Sequence, residues 1–200
     1  MKTGRFIALE GLDGAGTTTQ ASALAQVLRR RGVEVLVTRE PSGLPIGAMI
    51  RQALSGTLSL PPASMALLFA ADRLHHLAQD IEPALAKGSW VISDRYVVSS
   101  LAYQGAQLPM GWVDTLNRYA TACDLTLFVD VDPQVAKARR TARGGPAELY
   151  DDDAMQEATR ARYLEAVQLP AHASKVVRVD GNAPVEEVTA ALVKALEPLL

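Results

Sequence analysis

Short apolar runs alternate with longer stretches of helical spacing along the chain. Phe6-Ile7-Ala8-Leu9 is apolar on both faces and ends in a glycine-rich turn over residues 11–16. Helical periodicity follows over 18–31, with Ala21, Leu24, Ala25 and Leu28 on one face. Arginines crowd its last turn, where they suit the negative end of the helix dipole, and Gly32 marks the stop. Residues 33–37 form a second predicted strand. Pro41 and Gly43 break the chain before a short helix over 46–54. Pro61-Pro62 precede a long helix over 63–87, with a bend expected near Pro83 and closure at Gly88. Residues 90–93, 125–131 and 176–179 supply three further strands, and a helix over 185–200 ends the chain.

Strands that alternate with helices and are apolar on both faces predict an α/β fold: a five-stranded parallel sheet with helices on both faces. No repeat, linker or low-complexity tract divides residues 1–200, which predicts one domain. Such sheets bind ligands beyond the carboxyl ends of their strands. The turn at Gly11, the segment Arg39-Glu40-Pro41 and the pair Asp94-Arg95 all fall at such ends, so three polar motifs are expected on one edge.

Composition narrows the partners. Twenty Lys and Arg against 22 Asp and Glu give a net charge of −2, which disfavours a nucleic-acid polymer and leaves small anions open. The single cysteine, Cys123, excludes an intramolecular disulfide, and its apolar neighbours at the end of an expected helix place it in the core. No stretch approaches about 18 uninterrupted apolar residues and no apolar leader follows Met1, so no membrane partner and a cytoplasmic location are expected. His75 and His76 are expected on a solvated or interface part of their helix.

Gly11-Leu12-Asp13-Gly14-Ala15-Gly16-Thr17-Thr18 follows a strand and opens a helix, the setting of a phosphate-binding P-loop. Its glycines let successive N–H groups turn toward phosphate oxygens at a helix N-terminus. The Thr18 hydroxyl takes the position that ligates Mg²⁺ in such loops. Thr17, however, stands where the pattern requires the lysine that offsets charge on the β- and γ-phosphates. Either an arginine compensates, or the protein binds nucleotide and turns it over slowly.

From residue 5 almost to its end the chain resembles the thymidylate kinase family, P-loop NTPases that phosphorylate a nucleoside monophosphate. Four strings carry the resemblance: Leu9-Glu10-Gly11-Leu12-Asp13-Gly14-Ala15-Gly16; Thr38-Arg39-Glu40-Pro41 with Gly43, Pro45-Ile46-Gly47 and Arg51; Leu67-Leu68-Phe69-Ala70-Ala71-Asp72-Arg73; and Asp94-Arg95-Tyr96-Val97-Val98-Ser99-Ser100-Leu101-Ala102-Tyr103-Gln104-Gly105. The resemblance implies in-line transfer from MgATP to dTMP, giving dTDP on the way to dTTP, with a short lid over about 139–153. It implies that Arg95 bridges the donor and acceptor phosphates, with Arg39 a second acceptor-side arginine. Asp94 would hold Mg²⁺ through water, beside Thr18. Phe69 would stack on thymine, Arg73 would bond its O4, and Ser100 would lie near N3. Tyr103 would disfavour a ribose 2′-hydroxyl, Asp13 would bind the 3′-hydroxyl, and Gln104 would join the acceptor site.

In relatives with glycine at the Gly14 position the lid carries the catalytic arginines, which points to Arg140 and Arg143 ahead of Gly144-Gly145-Pro146. A solvated helix end is the other reading of these arginines. The acidic run Asp151-Asp152-Asp153 stands where some relatives carry a basic residue, and also suits a helix N-cap. The segment Asp180-Gly181-Asn182-Ala183 matches a family loop that packs on adenine. The family pairs as homodimers through the long helices, here with Met65, Leu67, Leu68, Leu74 and Leu77. The alternatives to dTMP kinase activity are a nucleotide-binding homologue weakened at Thr17 and a kinase for another deoxynucleoside monophosphate.

Overall fold

Five strands build one all-parallel sheet in the computed structural model, which describes residues 4–144, 149–150, 152–169 and 175–200. β1 (Phe6–Glu10), β2 (Val35–Arg39), β3 (Trp90–Asp94), β4 (Leu125–Asp130) and β5 (Val176–Asp180) lie side by side in the order β2-β3-β1-β4-β5. Parallel strands need crossovers, and helices supply them. They are α1 (Thr17–Arg30), α2 (Pro45–Leu54), α3 (Pro62–His76), α4 (Glu82–Ala86), α5 (Val97–Tyr103), α6 (Met110–Leu116), α7 (Pro133–Arg143), α8 (Asp153–Ala166) and α9 (Val185–Leu196). Every residue of β1, β3 and β4 is buried, whereas β2 and β5 at the sheet edges are buried only in part. This is the five-stranded parallel α/β architecture expected from the alternation, with helices on both faces, and it is consistent with the P-loop NTPase fold that the resemblance implies.

Element boundaries moved for local reasons. β2 runs Val35–Arg39 because residues 32 and 33 are used to close α1: the Gly32 N–H bonds Arg29 O and the Val33 N–H bonds Leu28 O, with Gly32 at φ 78°. The long helix is interrupted, but one turn ahead of the expected place. Leu77–Ile81 forms a π-helical turn, and Pro83 lies just after it, in the first turn of α4. Cys123 is buried as expected, yet it sits in a bridge just before β4 rather than at a helix end. No helix among the described residues is long and apolar enough to cross a membrane.

A small second cluster, Ile50, Ala53 and Met65, joins α2 to α3, with Leu54 and Phe69 packed on its rim. Beside it the loop over 40–44 is clamped from both helices. The buried Asp72 carboxylate accepts the Ser42 N–H at 2.7 Å and its hydroxyl at 2.6 Å, while Arg51 donates to Ser42 O at 2.5 Å. Two expectations for α3 need correction. His76 is fully buried, 2.6 Å from Thr38 Oγ1 and 3.4 Å from Glu40 Oε1, because this helix lies directly over the end of β2; only His75 is half-exposed. Met65 and Leu77 belong to the core and Leu68 is half-buried, which leaves Leu67 and Leu74, seven residues apart, as the exposed large apolar residues of α3.

Candidate active site

The register brings the polar motifs together. Leu9 pairs with Asp94 on one side and Leu127 on the other, and Arg39 also pairs with Asp94, so β1, β2 and β3 deliver their motifs to one edge. Two clefts open there. One, of about 430 Å³, is lined by Phe69, Arg73, Arg95, Ser100, Tyr103 and Gln104 among others. The other, of about 770 Å³, runs over residues 13–20 to Asn182 and Val185. Asp13 and Arg143 line both, so the clefts meet at the P-loop.

The second cleft is floored by backbone. Gly14 and Gly16 take φ of 89° and 88°, and α1 starts at Thr17 with no side chain capping it, so its first N–H groups face the cleft. Positive potential at that helix end favours phosphate. Gly14 has a second constraint: a Cβ there would lie 2.4 Å from Ala136 O in α7. Gly14→Ala is therefore expected to cost about 2 kcal/mol in strain and overlap, lowering Tm by about 4–8 °C, and to raise the KM for ATP. Calorimetry and steady-state kinetics on the one variant check both. Arg139, on α7, also lines this cleft and donates to Gly181 O at 2.9 Å, beside the 180–183 segment.

Arg95 lines the first cleft and reaches the P-loop, on a backbone with φ 73°, a left-handed conformation unusual for a residue with a side chain. Its N–H bonds Leu9 O at 2.8 Å, and its Nη1 donates to Gly11 O at 3.0 Å and to Tyr163 Oη at 3.3 Å. The guanidinium lies 5.0 Å from the centre of the Tyr103 ring, whose hydroxyl accepts the Asp13 N–H at 2.9 Å. Beneath them Glu10, fully buried, accepts the Tyr96 N–H at 2.9 Å and the Ser99 hydroxyl. Tyr163, from α8, donates to Gly11 O at 2.9 Å. Burial pushes its phenol well up, and Glu10 adds to the effect, so it stays a neutral donor. Glu10 appears in the first motif with no role suggested, and Tyr163 has no local signal at all: a tyrosine within an amphipathic helix looks like packing.

Burial also raises the Glu10 carboxyl from 4.5 to about 7, against the Ser99 hydrogen bond and the Arg95 charge, which pull it down. The folded protein thus holds this proton more tightly than the unfolded chain. Its contribution to stability is fully present below the unfolded value of 4.5 and is lost as pH rises through about 7. Denaturant unfolding from pH 5 to 8 should show wild type losing up to about 3 kcal/mol relative to Glu10→Gln. Parallel pH profiles for the two proteins would contradict this.

In the first cleft Phe69 and Arg73, four residues apart on α3, both face the cavity. Arg73 is almost completely buried and fixed: Nε and Nη2 donate to Glu40 Oε2 at 2.9 and 2.7 Å, Nη2 also reaches Tyr96 O and Ser100 Oγ, and Nη1 donates to Asn117. Gln104 Nε2 lies 3.4 Å from the Tyr150 hydroxyl, and its buried Oε1 has no partner among the described residues. Arg39 is exposed at the end of β2 and does not line this cleft. Glu40, from the second motif, and Asn117, from no motif, join Glu10 and Tyr163 as residues around the site that sequence reasoning missed.

Arg140 and Arg143 occupy the last turn of α7. Arg140 Nη1 donates to Asp13 O at 2.8 Å, and Arg143 pairs with the Asp13 carboxylate at 3.0 Å. Both are thus drawn onto the P-loop. Asp152 caps α8 by accepting the Met155 N–H, as the acidic run suggested; Gly145, Pro146 and Asp151 lie outside the described residues. For a divalent cation, the Thr18 hydroxyl donates to Asp94 Oδ2, and the buried Asp94 Oδ1 has no partner among the described residues. One carboxylate and one hydroxyl fit Mg²⁺, which keeps waters and takes its remaining oxygens from phosphate.

Comparison with known proteins agrees with this geometry. The thymidylate kinase family model matches residues 9–192. A thymidylate kinase of Thermomicrobium roseum is 43% identical over 94% of this chain and 91% of its own. One of Bordetella petrii is 42% identical over 98% and 96%. With the P-loop, the two clefts and all four motifs in place, the chain belongs to the thymidylate kinase family.

Proposed function

We propose that the protein transfers the γ-phosphoryl group of ATP to dTMP, releasing ADP and dTDP. The observation that carries this reading is the meeting of two clefts at Asp13 and Arg143, one built for phosphate and one holding an aromatic ring and a donor-only guanidinium. The P-loop N–H groups bind and orient the donor phosphates. Arg95 lines the first cleft and donates to the P-loop carbonyl of Gly11, where its charge stabilises the phosphoryl group in transit, and Arg143 and Arg140 supply from α7 the positive charge that Thr17 lacks. Mg²⁺, held by Thr18 and Asp94, would neutralise phosphate oxygen charge. Phe69 covers the base, Arg73 donates to it, and Tyr103 narrows the sugar site from below Arg95. Arg39, exposed beside the cleft, would reach the acceptor phosphate only with substrate bound.

Initial rates with dTMP, dUMP, dCMP, dGMP and UMP test the acceptor. The expected order has dTMP first and UMP and dGMP poor; a faster purine or ribonucleotide would overturn it. A nucleotide-binding protein that has lost catalysis at Thr17 is the less favoured reading, given relatives named as kinases over nearly the whole chain. It requires dTMP binding without turnover in wild type and a gain of turnover in Thr17→Lys. Exposed Leu67 and Leu74 on α3 support a homodimer, to be checked by analytical ultracentrifugation; a monomer at all working concentrations rejects it.

A further inference from the structure

Asn117 caps α6 away from the P-loop and outside every motif, yet it is 3% exposed and both ends of its amide are committed. Nδ2 donates to Val113 O at 2.8 Å. That carbonyl only accepts, so Oδ1 must face the other way, where it takes a hydrogen from Arg73 Nη1. The rest of the Arg73 fork is held by Glu40, Tyr96 O and Ser100. Of its five N–H groups, the second on Nη1 has no acceptor among the described residues, and the guanidinium lines the cleft beside Phe69.

We propose that Asn117 is a specificity-determining positioning residue: by holding one Nη1 hydrogen of Arg73 it aims the other at an acceptor atom on the base. This rests on the reading that the cleft binds a pyrimidine nucleoside monophosphate. A guanidinium donates and never accepts. A base with a carbonyl at that edge, thymine or uracil, completes the fork. Cytosine sets an amino group against it and leaves buried donors unpaired. Asn117 touches no substrate; it acts through the aim of Arg73.

The test compares kcat/KM for dTMP, dCMP and the deoxynucleoside monophosphate of 2-pyrimidinone, which has neither oxygen nor nitrogen at position 4. Wild type should prefer dTMP over the pyrimidinone by at least about 10-fold, the scale of one hydrogen bond to a charged group. In Asn117→Leu that preference should shrink to a few-fold, through KM for dTMP more than kcat, and the discrimination against dCMP should fall with it. Asn117→Asp keeps the acceptor and should keep the preference. A folded Asn117→Leu with undiminished preference overturns the proposal, as does loss of preference in Asn117→Asp; if the leucine variant does not fold, the aspartate variant decides alone. Wild type inactive on every pyrimidine monophosphate would remove the functional reading and this inference together, whereas the variant outcomes bear on Asn117 alone.

Discussion

Arg95→Met should lower kcat for dTMP about 1,000-fold, roughly 4 kcal/mol of transition-state stabilisation, with the KM for ATP little changed. The size follows from position. Its guanidinium is the charged group that touches the first P-loop carbonyl, Gly11 O, while lining the acceptor cleft. Charge that develops between two anionic nucleotides has few other groups to meet it, because Thr17 contributes none. The backbone gives an independent check. At φ 73° any residue with a Cβ is strained, so Arg95→Gly should be about 1 kcal/mol more stable than Arg95→Ala while both are equally inactive. Equal stabilities would mean that the Leu9 and Glu10 contacts relax around the turn.

Arg73→Leu is expected to cost about 3–5 kcal/mol in stability, the largest effect of any single change at the site. Its partner Glu40 has a side chain only 3% exposed, at 2.7 Å from Nη2, and would be left as an uncompensated buried carboxylate. His76, 3.4 Å from the other Glu40 oxygen, would remain beside it. Arg73→Leu with Glu40→Leu should recover much of the stability, since a buried ion pair can be replaced by apolar groups at little cost, but none of the dTMP activity. Denaturant unfolding of the two single variants and the double variant measures the coupling; additive losses would show that Glu40 is satisfied without Arg73.

The sheet was legible because its three central strands are buried on both faces and therefore largely apolar; Phe6-Ile7-Ala8-Leu9 needs no tertiary information to be recognised. The P-loop, Arg73, Arg95 and Ser100 were legible because each belongs to a string with fixed spacing. Residues that act through another side chain were not. Asn117 looks like an ordinary helix cap, and Tyr163 like an ordinary core aromatic. What gives them a role is a partner 44 residues away in one case and 68 in the other. His76 failed for the same reason: its burial is set by β2 passing under α3, which the periodicity of α3 alone does not report. The π-helical turn at Leu77–Ile81 was missed because residues with ordinary helical spacing carry no local mark of a change in hydrogen-bond register, and Pro83 pointed to the turn after it.

The formation of dTDP by the wild-type protein from dTMP and MgATP, followed by chromatography against a control without dTMP, tests the central claim most directly. The account predicts sustained, dTMP-dependent conversion of ATP to ADP with one dTDP formed per ADP, despite threonine at position 17. Folded protein that binds both nucleotides and forms no dTDP would contradict it.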